Sequence, residues 1–478
     1  MLKRIISLAV ILFMLSALAP LALAEEAAPS AAAHSVRREL KTDVPNFKGP
    51  GMSITDHYSE HDIYKVYYFL LFDDGSGITN GQKINPDYDP VDPDTWYAVE
   101  YDEEEQAYYV YQGFTFWYEE NGCWYLDWCN INSLDLYGQL DLQDCDHLEF
   151  LSCESNYIGD LNVSGCDNLT EIWCSHNWID VLRISGCSSL QFLDCSYNCL
   201  SNPDVSNNSS LIYLDVSENF LGALTVSNSS ALQYLFCDAC ALERLTVNNC
   251  PSLLQLSADS NELVSVRISG SDSLLYLSAE NNLLTSMDVS RFTGLKYLDL
   301  NNNALSAVDL SANAELMAIG LLDNPLGEID LSNCPLIPRN TIKAAGNGTV
   351  GYLYTEQYDE DGNTTAVYEL AKARPLGDEH FIGWYGADGA LLSAVPELAL
   401  GSCTETELTA RFGPAELLPG DADANGMIDT ADALIVLRAA LGIEGDPEAL
   451  LANCDMDQNG VIDTTDALII LRLALGIE

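Results

Sequence analysis

The chain has 478 residues, with 72 acidic against 20 basic side chains and a formal charge of −52. That length exceeds one ordinary domain, and a hydrophobic fraction of 48% argues for folded modules rather than disorder. So negative a surface repels phosphate backbones, which argues against nucleic acid as a partner, and it suits surroundings rich in divalent cations.

At the N-terminus, Lys3 and Arg4 precede an apolar run from Ile5 to Ala19, and Ala22-Leu23-Ala24 forms a small-residue cleavage site before Glu25. Residues 1–24 are expected to be an export signal, giving a secreted protein, extracellular or held at a cell surface. The run is short for a membrane anchor. No later segment is long and apolar enough to span a bilayer, and the sequence to Glu478 shows no hydrophobic tail, so retention at a surface requires a non-covalent hold. Residues 25–45, rich in Ala, Glu and Ser, are expected to be a flexible leader.

Residues 46–133 are aromatic-rich and carry no repeat. Phe114, Phe116 and Tyr118 alternate, Asn121-Gly122 marks a tight turn, and Trp124, Leu126 and Trp128 alternate again. This pattern predicts a β-hairpin. It sits directly before a repeat array and is expected to cap it; an aromatic sugar-binding patch is the alternative use.

From Leu148 onward leucine recurs every 21 residues, at 148, 169, 190, 211, 232, 253, 274, 295 and 316. One copy carries Leu148, Leu151, Cys153, Asn156, Leu161, Val163 and Cys166; the next carries Leu169, Ile172, Cys174, Asn177, Leu182, Ile184 and Cys187. Nine copies at one fixed period resemble the leucine-rich-repeat family in a short bacterial version, and the solenoid is assigned to residues 134–340. Leu151 and Cys153 are expected to point inward from a short strand, with Leu161 and Val163 lining the opposite wall. Stacking at about 4.8 Å per coil gives a rod on the order of 43 Å long. Asn156, Asn177, Asn198, Asn219, Asn261, Asn282, Asn303 and Asn324 form a column able to bond backbone groups at the turn; Cys240 interrupts it.

Fifteen cysteines in an exported protein raise the question of disulfides. Cys153, Cys174, Cys195 and Cys237 share a column with Val216, Ala258 and Leu300, while Cys145, Cys166, Cys187, Cys250 and Cys334 share another. Alternation with apolar residues predicts buried free thiols acting as core filler. Bridges Cys123–Cys129 and Cys199–Cys240 stay open.

The period also predicts an outward stripe two residues after each repeat leucine: Phe150, Phe192, Tyr213, Tyr234, Tyr276 and Tyr297, with Trp173 and Phe236 two positions further on. With Asp194, Asp215 and Asp299 beside it, the stripe is a candidate face for a protein or glycan ligand. A cross-strand ladder that merely stabilises the sheet is the competing reading.

Residues 341–413 change character. Ala345-Gly346-Asn347-Gly348-Thr349-Val350, then Phe381-Ile382-Gly383-Trp384-Tyr385, then Leu408-Thr409-Ala410-Arg411-Phe412 resemble the small β-rich repeat module of internalin-type bacterial surface proteins. The resemblance implies a spacer.

Residues 414–478 contain two acidic segments in tandem, Asp421–Asp432 and Asp455–Asp466, each matching the twelve-residue EF-hand calcium loop. Calcium takes six to eight oxygens at about 2.3–2.6 Å. Asp421, Asp423 and Asn425, and in the second loop Asp455, Asp457 and Asn459, supply three of them. Gly426 and Gly460 permit the sharp turn, Met427 and Val461 offer carbonyls, Asp429 and Asp463 act directly or through water, and Asp432 and Asp466 close each loop. Two Ca2+ ions are expected.

Each loop leads into a matching helix, Ala433-Leu434-Ile435-Val436-Leu437-Arg438 and Ala467-Leu468-Ile469-Ile470-Leu471-Arg472, and Pro447–Asn453 predicts a third. Duplicated loop–helix units with Asp at position 12 and no helix before the first loop are similar to a type I dockerin. The resemblance implies an all-α module that binds a cohesin domain on a scaffolding protein of a cellulosome-like complex. It also implies that Thr430, Ala431, Leu437 and Arg438, or Thr464, Thr465, Leu471 and Arg472, face that partner, in either of two orientations. The Leu-Arg pair departs from the doubly basic pair of well-known dockerins, which leaves the cohesin type open, and Leu437 and Leu471 are equally readable as core.

The architecture expected is therefore multidomain: a leucine-rich-repeat β-solenoid, a small β-rich module and an all-α dockerin with two EF-hand-like loops. The function expected is non-catalytic binding, with the solenoid engaging a protein or glycan. The alternative is a cellulosome-associated enzyme acting on polysaccharide from a site within 46–133. His34, His57, His61, His147, His176 and His380 form no H-E-x-x-H motif, and no nucleophile motif appears.

Overall fold

The computed structural model describes residues 59–478 except 86, 90–94, 96, 103–106, 121–122, 338–340, 359–363, 402, 415–418, 424–427 and 476–478. The expected signal, the leader, His34, His57 and the Asn121-Gly122 turn lie outside the described residues. No described helix is long and apolar enough to cross a membrane. The chain divides into two compact units, one built on residues up to Thr341 with 351–370 and 399–403, the other on 342–350, 371–398 and 404–478.

The first unit begins with helix α1 (Glu60–Leu70), whose N-cap Ser59 accepts a hydrogen bond from the Asp62 amide. Ile63, Val66, Phe69 and Leu70 are buried, the spacing of one helical face, and the helix packs on strands Cys123–Asn130 and Tyr137–Asp141. A short helix α2 (Asn80–Ile84) follows, held by a capping box between Thr79 and Gln82. The aromatic pattern of this segment announces neither helix. Strands Tyr97–Asp102, Ala107–Glu120 and Cys123–Asn130 then run antiparallel. The last pairs in parallel with Phe150–Ser152, so it is already the first rung of the solenoid and lies upstream of residue 134.

Nine three-residue strands follow, one per repeat, from Phe150–Ser152 to Ala318–Gly320. Each pairs in parallel and in register with the strand of the next repeat, as Leu151 does with Ile172 and Leu277 with Leu298. Two three-stranded parallel sheets form parts of the opposite wall. Leu148, Leu151, Cys153, Leu161, Val163 and Cys166 are all fully buried. In the next coil Leu169, Ile172, Cys174, Ile184 and Cys187 are buried as well, while Leu182 is half-buried. Dihedral space explains the coil's corner. The residue before each column asparagine, from Ser155 through His176 and Tyr197 to Asp323, sits at φ between 51 and 56°. Such left-handed non-glycine positions cost about 1 kcal/mol or more each and persist only where surroundings enforce them.

The asparagine column does the enforcing. Asn198 Nδ2 donates to the carbonyls of Cys174, Cys195 and Ser196 at 2.9, 3.2 and 3.0 Å, while its Oδ1 accepts from Ile179 N at 2.9 Å. One buried amide thus bonds its own coil and the preceding one. Asn177, Asn219, Asn261 and Asn282 repeat the pattern. At the break, Cys240 Sγ donates weakly to Val216 O at 3.1 Å. Fourteen cysteines are free, Cys129, Cys199 and Cys240 among them, and burial pushes the thiols of Cys153, Cys174 and Cys195 well up.

The boundary expected at residue 341 is not a clean cut. Residues 351–370 group with the solenoid, whose sheet continues antiparallel from Ala318–Gly320 into Gly348–Tyr358 at Ile319↔Tyr354. In the second unit, strand Glu379–Tyr385 pairs antiparallel with Glu407–Pro414 around fully buried Trp384, whose Nε1 donates to Pro396 O at 3.0 Å. Gly346 (φ 108°) makes the turn between Thr341–Ala345 and Gly348–Tyr358. Three helices then close the chain: α3 (Thr430–Ala440), α4 (Pro447–Cys454) and α5 (Thr464–Ala474).

Replacing Asn198 by Ala orphans several buried backbone groups at once, each costing about 1–3 kcal/mol. The expected loss is about 2–4 kcal/mol of unfolding free energy, read as a lower urea midpoint of the solenoid transition. Asn303, which is only partly buried, is expected to cost less. Equal midpoints for Asn198→Ala and wild type would remove the amide column from its role.

Candidate functional site

The two acidic loops are built alike. Asp429 and Asp463 N-cap helices α3 and α5, accepting from the amides of Ala431 and Thr465 at 2.6 Å. Asp432, fully buried, accepts from Ala422 N (2.8 Å) and Asp423 N (3.3 Å) through Oδ1 and from Asp429 N (2.7 Å) through Oδ2. Asp466 does the same with Met456, Asp457 and Asp463 at 2.7, 3.3 and 2.9 Å. The aspartate at position 12 therefore ties the loop's first turn to the helix start. Hydrogen bonds from Thr465 hold the Asp463 carboxyl below the usual range.

In each loop three carboxylates converge: Asp421, Asp423 and Asp432 offer oxygens within 4.8 Å of one another, and so do Asp455, Asp457 and Asp466. Asp421 is itself buried. In the second loop Asp455 accepts from the amides of Asn459 (3.0 Å) and Gly460 (2.8 Å), bending the chain through Gln458 and Gly460 at φ 59° and 84°. A carboxylate keeps spare lone pairs beside such bonds, so these all-oxygen sets fit a hard divalent cation of the calcium type. Asn425 and Met427 lie outside the described residues; Val461 is exposed.

Helices α3 and α5 pack on each other around Ala433, Val436, Cys454, Ile462, Ala467 and Ile470. The Cys454 thiol is pushed up to about 11 by burial and then by the charges of Asp432, Asp421 and Asp466, so core and loops are electrostatically joined. Of the residues expected to face a partner, Thr430, Ala431, Arg438, Thr464, Thr465 and Arg472 are exposed. Leu437 and Leu471 are half-buried and pack against the core instead. Sequence reasoning passes over Leu434 and Leu468, 47% and 56% exposed, and Leu441 and Leu475, both 56% exposed. The members of each pair occupy equivalent positions of the two loop–helix units; that equivalence was the available signal.

On the solenoid, the expected outward stripe is partly closed. Phe192 and Tyr234 are buried, and Phe150, Trp173, Tyr213, Phe236, Tyr276 and Tyr297 are half-buried. Neighbouring rings meet: Trp173–Tyr213 at 6.2 Å, Tyr213–Phe236 at 5.5 Å and Tyr276–Tyr297 at 6.2 Å between centroids. These contacts are a cross-strand ladder. The freely exposed aromatics stand at the turn. Trp178 (57% exposed) meets Tyr157, which stacks on Tyr137 at 4.6 Å, and Tyr197 (49% exposed) stacks on His176 at 4.2 Å. Tyr157, His176, Trp178 and Tyr197, with Ser155 and Glu218, line a cleft of about 550 Å³.

Residues 419–473 match the dockerin type I domain, a family whose members bind calcium and cohesins, and this part of the chain is a type I dockerin module. The preceding array is a leucine-rich-repeat β-solenoid. Among solved structures, the functional domain of InlJ from Listeria monocytogenes, described as including a cysteine ladder, is 16% identical over 56% of this chain and 77% of that one, with a TM-score of 0.29. YopM from Yersinia pestis, a leucine-rich effector, is 24% identical over 42% of this chain and 56% of that one, with a TM-score of 0.37. Neither overlap is close enough to transfer a function; the repeat assignment rests on the fixed leucine period and one strand per coil. No curated protein matches the chain significantly.

Beside the strand stripe runs a second ladder, of acids. Ser257 Oγ and Asp259 N both donate to Asp238 Oδ1 at 2.7 Å, and Ser278 Oγ and Glu280 N donate to Asp259 Oδ1 at 2.6 and 2.7 Å. Burial and then Asp194 push the Asp215 carboxyl up to about 7; burial and then Asp259 do the same to Asp238. Burial, Asp299 and Asp259 raise Glu280 to about 7, and burial raises Asp299 to about 6. Unfolded carboxyls titrate near 4, so between pH ~4 and ~7 the folded state holds more protons than the unfolded state, and unfolding free energy falls as pH rises. With calcium saturating, the solenoid's urea midpoint is expected to be higher at pH 5 than at pH 8. Asp238→Asn, which keeps an acceptor for Ser257, is expected to flatten that difference. A midpoint that rises with pH over this window would contradict the ladder's electrostatics.

Proposed function

We propose that this protein is an exported, non-catalytic binding subunit that its dockerin plugs into a cohesin-bearing scaffold, displaying the solenoid as the ligand-binding part. The observation that carries the reading is the pair of carboxylate loops, each closed by a buried aspartate and each opening a helix with matching exposed positions. Two Ca2+ ions, one per loop, are assigned to Asp421, Asp423, Asn425, Met427, Asp429 and Asp432 and to Asp455, Asp457, Asn459, Val461, Asp463 and Asp466. The bound ions offset the mutual repulsion of the loop carboxylates. The protein's own residues set the geometry, through the N-caps and the amides that hold Asp432 and Asp466.

The cohesin-facing surface comprises Thr430, Ala431 and Arg438 and their counterparts Thr464, Thr465 and Arg472. Leu437 and Leu471 support it from beneath, and the exposed Leu434 and Leu468 supply its apolar part. Duplication of every element supports two orientations of binding. On the solenoid, we infer that a protein or glycan ligand is met by the exposed rings of Trp178 and Tyr197 and by the accessible edges of Tyr213, Tyr276 and Tyr297. Flat aromatic faces with polar groups beside them suit either class.

Titrating the full chain with a panel of cohesins, with calcium and with chelator, tests the attachment. Binding is expected only with calcium, and chelation is expected to remove the helical circular dichroism of residues 419–473 while the solenoid's β signal survives. Asp432→Ala with Asp466→Ala is expected to abolish both. Chelator-insensitive binding, or no binding to any cohesin, would overturn the reading. Across glycan and protein arrays, Trp178→Ala is expected to weaken ligand capture roughly tenfold, about 1.4 kcal/mol; unchanged capture removes the cleft from the proposal.

A further inference from the structure

We propose that His61, Asp62 and Cys145 form a binding site for one Zn2+ ion that fastens the N-terminal helix to the solenoid. Each offers one ligand atom, and the three atoms lie within 4.8 Å of one another. The set is mixed nitrogen, oxygen and sulfur, unlike the all-oxygen loops at the other end of the chain. Calcium takes oxygen ligands, whereas imidazole, carboxylate and thiolate together favour zinc.

The positions come from two separate parts of the sequence. His61 and Asp62 sit in the first turn of α1, and Cys145 begins the second cysteine column of the solenoid. Further along that column the thiols find backbone partners: Cys166 Sγ donates to Leu142 O and Cys187 Sγ to Val163 O, both at 3.1 Å. Cys145 faces a carboxylate. Asp62 is 2% exposed; Oδ2 accepts from Leu126 N at 3.0 Å and Oδ1 lies 3.1 Å from His61 Nδ1. The nearby cation Lys65 is held by Asp141 at 2.8 Å. A carboxylate keeps spare lone pairs beside such contacts, so Asp62 can still turn an oxygen toward the ligand atoms of Cys145 and His61.

A dication fits between the three ligand atoms after a small adjustment. Tetrahedral bonds of about 2.0–2.3 Å place ligand atoms roughly 3.3–3.8 Å apart, so the triad needs to contract by about 1 Å. The His61 side chain is 45% exposed, which gives an entry path and leaves the fourth position to water. Binding balances as Zn2+ plus the Cys145 thiol giving a zinc–thiolate bond and one released proton, with Asp62 and His61 entering as carboxylate and neutral imidazole. The Leu126 amide, bonded to Asp62, is then the outer partner that orients the ligand.

The test uses the full reduced chain in millimolar calcium, so that the carboxylate loops are filled, titrated with Co2+ and then Zn2+. One equivalent of Co2+ is expected to produce a thiolate-to-metal absorption band that Zn2+ abolishes, with one proton released per ion. Cys145→Ser is expected to lose the band. His61→Ala, at a half-exposed position, is expected to fold, to weaken Zn2+ by tenfold or more and to cancel the rise in melting temperature that Zn2+ gives the wild type. No band at one equivalent, or a band that persists in Cys145→Ser, overturns the proposal. Because cohesin binding is read separately, failure here leaves the attachment reading untouched.

Discussion

Every coil of the solenoid is satisfied only by its neighbours. A three-residue strand with one buried amide cannot shield its own backbone, and the asparagine that serves its own coil gives a donor to the coil before it. That shared bond holds the left-handed corner residue in place, and the corner keeps the repeat period constant. The inward leucines and thiols then fall into columns because the period never slips. Cohesion is thus nearest-neighbour, as in other one-dimensional stacks, and the ends are the weak points. At the N-terminal end a hairpin strand supplies the first rung and α1 packs against it. At the other end the long strand Gly348–Tyr358 continues the sheet.

Charge is the second constraint. With 72 acids to 20 bases, most carboxylates have no basic partner available. The structure handles them in three ways. Some cap helices or turns, as Asp429 and Asp463 do. Some stack along the strand face, where burial and mutual repulsion favour protonation. A few converge in sets whose geometry suits a cation. Proton, helix dipole and metal ion are alternative answers to one excess of negative charge, and the available ligand atoms decide which applies.

The repeats and the calcium loops were legible because each is a pattern repeated at fixed spacing, where one copy confirms the next. Helix α1 was not. Tyr64, Tyr67 and Tyr68 are poor helix formers and mask a sound apolar face at Ile63, Val66, Phe69 and Leu70. The strand stripe was expected to face solvent, but alternation does not report how tightly neighbouring rungs pack. A coil spacing near 4.8 Å brings Phe192 and Tyr234 under adjacent side chains. Likewise Leu437 and Leu471 were left open between partner face and core, and helix packing turns them toward the core and Leu434 and Leu468 outward.

The duplicated tail gives this last point more weight. Two copies of one loop–helix unit present equivalent positions only if their cores are equivalent, and they are: Val436 matches Ile470 and Ala433 matches Ala467, all buried. Exposure follows the same pairing in Leu434 with Leu468 and Leu441 with Leu475. A burial pattern enforced twice by one sequence motif is hard to reconcile with a merely solvated helix, since four large exposed leucines lower solubility. Apolar groups kept outside, in register with each other and beside a carboxylate-lined turn, are what a partner-facing surface requires. Each helix starts from its own carboxylate loop, capped by Asp429 or Asp463, so the loop that closes over a cation and the exposed leucine positions are set by one local geometry.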